Sequence, residues 1–165
     1  MNASDYGIPQ NRERVFVVSI LGGQSFKFPD PIPLKTGIND LLESNVDRKY
    51  YLTENGRNYI ERRILTKKID YESKVIPTLT RELTHGYGGL FCPTWVALIG
   101  DFRVPTPREA LRFMGMRDSD IDKIVAAKVS RNGMYSLAGN SIVVQVLEGI
   151  FREMFLANQV LFKNT

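Results

Sequence analysis

With 165 residues, 43% apolar and 24% charged, the chain has the composition of an ordinary globular domain with a sizeable core rather than of a disordered segment. A formal charge of +4 and a pI near 9.2 are compatible with a polyanionic partner without demanding one. One Cys and one His exclude an internal disulfide and most transition-metal sites, and no apolar run approaches the roughly 18 residues of a membrane span. A reducing, cytoplasmic setting fits this cysteine usage.

Along the chain, Val15-Phe16-Val17-Val18-Ser19-Ile20 is a β-branched and aromatic run closed by Gly22-Gly23, which predicts a buried strand behind a charged loop. The prolines of Phe28-Pro29-Asp30-Pro31-Ile32-Pro33 forbid pairing within a sheet and predict a surface connector. A short helix is expected over Thr36 to Glu43. A longer one is expected from an N-cap at Thr53 to Lys68, with Tyr59, Ile60 and Ile64 on one side. Between Val75 and Arg103 short strand-like runs are broken by Gly86, Gly88, Gly89, Pro93 and Gly100, the texture of a small irregular β subdomain.

Thr106 is placed to cap a helix that starts with Pro107, reaches about Met114 and stops at Gly115, and Ser119 to Val129 predicts another. A final helix is expected from Asn140. Its polar Gln145, Glu148, Arg152 and Glu153 lie opposite an apolar stripe of Val143, Val146, Leu147, Ile150 and Met154.

Three segments carry chemistry. In Gln10-Asn11-Arg12-Glu13-Arg14 the donors alternate, so an extended backbone projects Gln10, Arg12 and Arg14 to one side, suited to phosphate and base oxygens or, equally, to a salt-bridged strand entrance. Ala138-Gly139-Asn140-Ser141 reads as a glycine turn opening a helix, either a structural cap or a site for a carboxylate or phosphate. Between them lies Thr106-Pro107-Arg108-Glu109-Ala110-Leu111-Arg112-Phe113-Met114-Gly115-Met116.

In this order, and with Asp5-Tyr6-Gly7-Ile8-Pro9 leading into the first, the segments resemble the last three signature blocks of the DNA (cytosine-5)-methyltransferases of bacterial restriction-modification systems. The resemblance covers most of the chain. It departs at Phe113-Met114-Gly115-Met116, where Leu-Gln-Gly-Phe is usual. It implies an α/β fold: part of a Rossmann-like methyltransferase domain plus a small β-rich target-recognition subdomain. The corresponding division is residues 1–35 for a strand and connector, 36–105 for recognition, and 106–165 for a helical segment returning to the methyltransferase domain.

The resemblance also implies roles. Arg12 and Arg14, with Gln10, would support catalysis by holding the extruded cytosine, its phosphate and the catalytic loop. Asn140 and Ser141 would touch the methionine part of S-adenosylmethionine. Arg108 and Glu109 would be structural. Thr78, Leu79, Thr80, Arg81, His85 and Tyr87 would contact double-stranded DNA, with Arg81 or His85 reading guanine, although an ordinary turn-rich subdomain explains the same residues.

The family's glycine loop and Pro-Cys nucleophile are expected upstream of Met1, so the chain reads as the back part of an enzyme, inactive alone and completed by an N-terminal half or subunit. Phe91-Cys92-Pro93 has the reverse order, and Glu54-Asn55 falls on the wrong side of the arginine block to stand for the family's Glu-Asn-Val. The alternatives are a stand-alone DNA-binding module or a relative from the family branch that modifies transfer RNA. An incomplete sheet also predicts self-association in isolation.

Overall fold

The computed structural model describes residues 1–21, 26–65, 75–79 and 103–157. Five helices dominate these residues: α1 (Glu54–Leu65), α2 (Pro107–Arg112), α3 (Asp118–Ala126), α4 (Arg131–Asn140) and α5 (Val144–Ala157). Two short parallel strands, β1 (Gln10–Asn11) and β2 (Ile76–Pro77), pair with Gln10 opposite Ile76. Among the described residues no helix is long and apolar enough to cross a membrane.

Local sequence signals are densest at the start of α2. Thr106 Oγ1 accepts from the Glu109 N–H at 3.1 Å and Glu109 Oε2 accepts from the Thr106 N–H at 2.7 Å, a reciprocal capping box with Pro107 in the first turn. The helix closes as expected at Gly115, whose φ of +79° favours glycine. Space demands glycine there too, since a Cβ would lie 1.7 Å from Oε1 of Gln145. Gln145 in turn donates to the Gly115 carbonyl at 3.2 Å, and the Val144 N–H to the Met114 carbonyl at 3.0 Å, so α5 is seated on the end of α2.

Salt bridges fix α3 on α2. Arg112 grips Asp118 with both Nε and Nη2, at 2.9 and 3.0 Å, while Arg108 reaches Asp118 at 3.1 Å and Asp122 at 2.6 Å. Hydrogen bonding from Arg112 first, and from Arg108 second, holds the Asp118 carboxyl below the usual carboxylate range.

Helix α4, not anticipated from the sequence, starts where Ser130 Oγ accepts from the Gly133 N–H at 3.1 Å. It turns Met134, Tyr135 and Ala138 into the core. Tyr135 is buried and donates to the Pro105 carbonyl at 2.6 Å, with the Arg131 guanidinium 5.6 Å from its ring centroid. Burial raises the Tyr135 phenol above its ordinary value, against the opposing charge of Arg131, and burial likewise raises Tyr6. These phenols keep their protons in the fold at a pH where an unfolded tyrosine, near pH 10, loses its own. Their contribution is therefore intact below about pH 10 and declines as pH rises past it. Urea unfolding between about pH 8 and about pH 11 should show that decline, and Tyr135→Phe should flatten it; an equally steep decline in the variant would count against this assignment.

Four expectations are corrected. Residues 15–20 form no ladder: Val15 and Val17 are 92% and 86% exposed, while Phe16 and Val18 lean on the core. The alternation predicted for a strand is present, but no described neighbour supplies its ladder hydrogen bonds. In place of a helix over Thr36 to Glu43 there is one 3-10 turn, Asn39–Leu41, because the Asp40 carboxylate takes the Gly37 N–H at 2.7 Å and offers the backbone a local alternative. The helix expected from Ser119 to Val129 is α3, ending at Ala126. The last helix starts at Val144, so Gly139 and Asn140 end α4 instead of opening α5.

The α5 stripe does face inward, with Val143, Val146 and Ile150 buried. Gly149 lets Pro29 approach, where a Cβ would come within 3.2 Å of it. Tyr6 donates to the Pro29 carbonyl at 2.9 Å, which ties the proline connector down. Helix α1 starts beside Thr53 as expected, and its continuation to Lys68 lies outside the described residues, as does most of the predicted β subdomain.

Candidate functional site

The alternating donors of residues 10–14 do not share one fate. Gln10 is fully buried: its Nε2 donates to the Phe113 carbonyl at 2.7 Å and its Oε1 accepts from the Leu79 N–H at 3.2 Å. Arg12, 4% exposed, donates through Nη1 to the Leu79 carbonyl at 2.8 Å, and through Nη2 to the carbonyls of Gly139 and Ser141 at 2.8 and 2.9 Å. Together the two side chains clasp Leu79 by both of its backbone groups and draw residues 76–79, the α2 end and the α4–α5 junction into one knot. Burial, and next the charge of Arg14, lower the Arg12 pKa; a guanidinium nonetheless stays charged.

Arg14 differs. Its guanidinium is exposed, bonded among the described residues only to the neighbouring Glu13 carbonyl at 2.6 Å, beside a cleft of about 590 Å³ lined by Met1, Asn2, Asp5, Glu13, Arg14 and Val15. The main chain around it is braced, because Met1 and Arg14 exchange backbone hydrogen bonds at 2.9 and 3.0 Å and Asn2 pairs antiparallel with Glu13. Thus the block holds two inward anchors and one outward cation.

At the other segment, Asn140 is exposed and Ser141 half-buried. The Ser141 N–H is spent on the Leu137 carbonyl at 2.9 Å and its hydroxyl faces the Ala138 carbonyl at 3.3 Å. The free amides expected for a helix start are therefore not found at these two residues, and the Asn140 side chain is what this turn offers to a ligand. Thr78 donates its hydroxyl to the Asn11 carbonyl at 2.7 Å and Leu79 is buried, so both secure residues 75–79 to the arginine block. Thr80, Arg81, His85 and Tyr87 lie outside the described residues.

Glu109 was expected to be structural, and it is the hub of a buried cluster that the sequence did not reveal. Its carboxylate accepts from both Arg103 Nη atoms at 2.8 Å, from the Thr106 N–H at 2.7 Å and from the Glu43 N–H at 2.8 Å. A cleft of about 1040 Å³ opens elsewhere, between Tyr6, Ile32, Leu41, Met116 and Gln145, and none of the predicted site residues lines it.

The model of the C-5 cytosine-specific DNA methylase family matches residues 1–92, more than half of the chain. The chain belongs to this family. It is 39% identical to the type II methyltransferase M2.ScrFI of Lactococcus lactis subsp. cremoris, over 94% of this chain and 44% of that protein. It is 31% identical to M.Bsp6I of a Bacillus species, over 94% of this chain and 53% of that one. Against M.HhaI of Haemophilus parahaemolyticus the identity is 32%, over 91% of this chain and 50% of the relative. This methylase-family chain therefore spans about half the length of these curated relatives.

Solved structures agree on the fold. An Entamoeba histolytica methyltransferase, EhMeth, superposes with a TM-score of 0.67 at 19% identity, covering 94% of this chain and 51% of that one. The S. pombe Dnmt2 methyltransferase gives 0.51 at 24% identity, over 76% and 42%. The described α/β elements are thus part of a methyltransferase fold.

Proposed function

We propose that this chain is the C-terminal portion of an S-adenosylmethionine-dependent DNA (cytosine-5)-methyltransferase, supplying target recognition and one wall of the flipped-cytosine and cofactor pockets. The observation that carries the reading is the clasp of Gln10 and Arg12 on Leu79, Phe113, Gly139 and Ser141. It joins the recognition segment to the cofactor-edge turn and leaves Arg14 as the outward cation.

In this reading Arg14 holds the extruded cytosine or its phosphate, its planar fork matching paired oxygen acceptors. Gln10 and Arg12 are positioning residues. Asn140 would hold an edge of S-adenosylmethionine, which supplies the methyl group when bound. The chain's one thiol, Cys92, precedes a proline instead of following one, so in this reading the nucleophile and the rest of the cofactor pocket come from the portion of the family fold that this chain does not span. Duplex DNA enters along the segment that follows Leu79, with Arg81 and His85 as base readers.

The test is methyl incorporation from tritiated S-adenosylmethionine into duplex DNA. The chain is assayed alone and mixed with a separately expressed polypeptide comprising the part of the M2.ScrFI methyltransferase that it does not match. Signal is expected in the mixture alone, and Arg14→Ala should lower it by about 100-fold or more. Salt-sensitive DNA binding with no incorporation in any mixture would favour a recognition module without catalytic duty; incorporation by the chain alone would overturn the dependence on a second half.

A further inference from the structure

Two cations share one aromatic ring, and a third adjoins them. The turn Arg48–Tyr50 sets the Lys49 ammonium 5.3 Å from the Tyr50 ring centroid. The Arg131 guanidinium lies 5.3 Å from the same centroid and 5.6 Å from that of Tyr135. Arg48, Lys49 and Arg131 are all exposed. Asp47 pairs with Lys49 at 2.9 Å, but among the described residues neither Arg48 nor Arg131 has a carboxylate partner. By contrast, Lys27, Arg108, Arg112, Arg117 and Lys123 each meet an aspartate.

Like charge opposes this gathering. Asp47 holds the Lys49 ammonium above its usual range, and the charge of Arg131 works against that. Arg131 is also the first residue of α4, where the helix dipole disfavours a cation. The two tyrosine rings hold it there nonetheless, and a cation–π contact leaves a guanidinium with in-plane N–H donors for paired oxygens. A cluster held on rings and short of acids is suited to an anion. Its place in the chain says which one. The Tyr50 carbonyl takes the Val104 N–H at 2.9 Å and Tyr51 pairs antiparallel with Arg103, so the cluster stands where the chain departs for residues 52–102 and returns. On the proposed reading, DNA is recognised along that stretch. We infer that Arg48, Lys49 and Arg131 hold the phosphate backbone of a duplex flank, apart from the arginine block and from the base-reading residues. Such a contact positions the duplex and carries no sequence information.

The test is duplex binding by the intact chain, followed by fluorescence anisotropy over a range of salt and on unrelated sequences. Arg131→Gln and Arg48→Gln should each weaken binding by about 3–10-fold, alike on every sequence, and each should make the slope of log affinity against log salt shallower by about 1. Arg131→Lys keeps the charge and should keep the slope. Arg48 makes no ring contact among the described residues, so its variant reports on the contact even if Arg131→Gln disturbs the start of α4. Lys27→Gln, beside the proline connector, is the control: it removes the same charge elsewhere and should leave the slope unchanged.

The inference rests on the methyltransferase reading, and the two fail differently. Salt-sensitive binding with one slope for the unaltered chain, Arg131→Gln and Arg48→Gln overturns the inference and leaves the reading intact. So does an equal change with Lys27→Gln, which would report net charge and not contact. A preference for transfer RNA over duplex DNA that Arg131→Gln abolishes assigns the cluster to RNA and overturns it as well. Slope losses at the cluster with no methyl incorporation in any mixture would instead sink the functional reading and leave a general duplex contact standing. Absence of any salt-sensitive binding overturns both.

Discussion

Glu109→Ala is expected to cost about 3–5 kcal/mol, a large share of the roughly 5–15 kcal/mol that stabilises a domain. The Arg103–Glu109 pair is 3% and 0% exposed, and the carboxylate collects four donors from three places in the chain. Removing it takes from a buried guanidinium the carboxylate that grips both of its Nη atoms, uncaps α2 and frees the Glu43 N–H from the α2 start. Two desolvated ions attract strongly, but most of that attraction offsets the cost of burying them. The double variant Arg103→Met with Glu109→Leu should therefore lose markedly less than either single truncation. Urea unfolding of the three proteins gives the coupling directly. A single-variant loss near 1 kcal/mol would mean that water reaches the pair and that its burial is not as described.

Arg12→Ala is the second large effect, about 3 kcal/mol or more, since each buried carbonyl stripped of its charged donor costs about 1–3 kcal/mol and this guanidinium serves three. Arg12→Lys should recover little. An ammonium on a flexible stem cannot present two separated nitrogens toward Leu79 on one side and Gly139 with Ser141 on the other. Arg14→Ala, by contrast, should leave stability within about 0.5 kcal/mol while removing methyl transfer from the completed enzyme. Adjacent members of one motif would thus fail in different assays: Arg12 in unfolding, Arg14 in chemistry. Similar unfolding midpoints for the two variants would refute this division.

What the sequence disclosed follows from the range of each interaction. Thr106, Pro107 and Glu109 signal within four residues of one another, so the capping box was readable, and Gly115 marked its stop. The Val15–Ile20 alternation was readable as well, but a ladder depends on a neighbour that no local pattern can supply. Helix α4 was missed because Gly133 and Gly139 weaken its helical propensity. Its evidence was the Ser130 cap and the spacing of Met134, Tyr135 and Ala138, which form a stripe once the core is known. The family resemblance located the arginine block, yet not the inward turn of Arg12. That depends on carbonyls 67 to 129 residues away, groups that every residue possesses and no side-chain pattern distinguishes.

The clasp on Leu79 has a counterpart downstream, where the Val104 N–H donates to the Tyr50 carbonyl at 2.9 Å and Arg103 is locked to Glu109. The chain is thus fastened immediately before and after residues 80–102, at both ends partly through main-chain atoms. The two attachments act as rivets on the chain. Doubling the length of chain held between two fixed points adds only about 0.6 kcal/mol of closure entropy. On the proposed reading, specificity for one DNA sequence or another is then a property that evolution, or a designer, can exchange between the rivets.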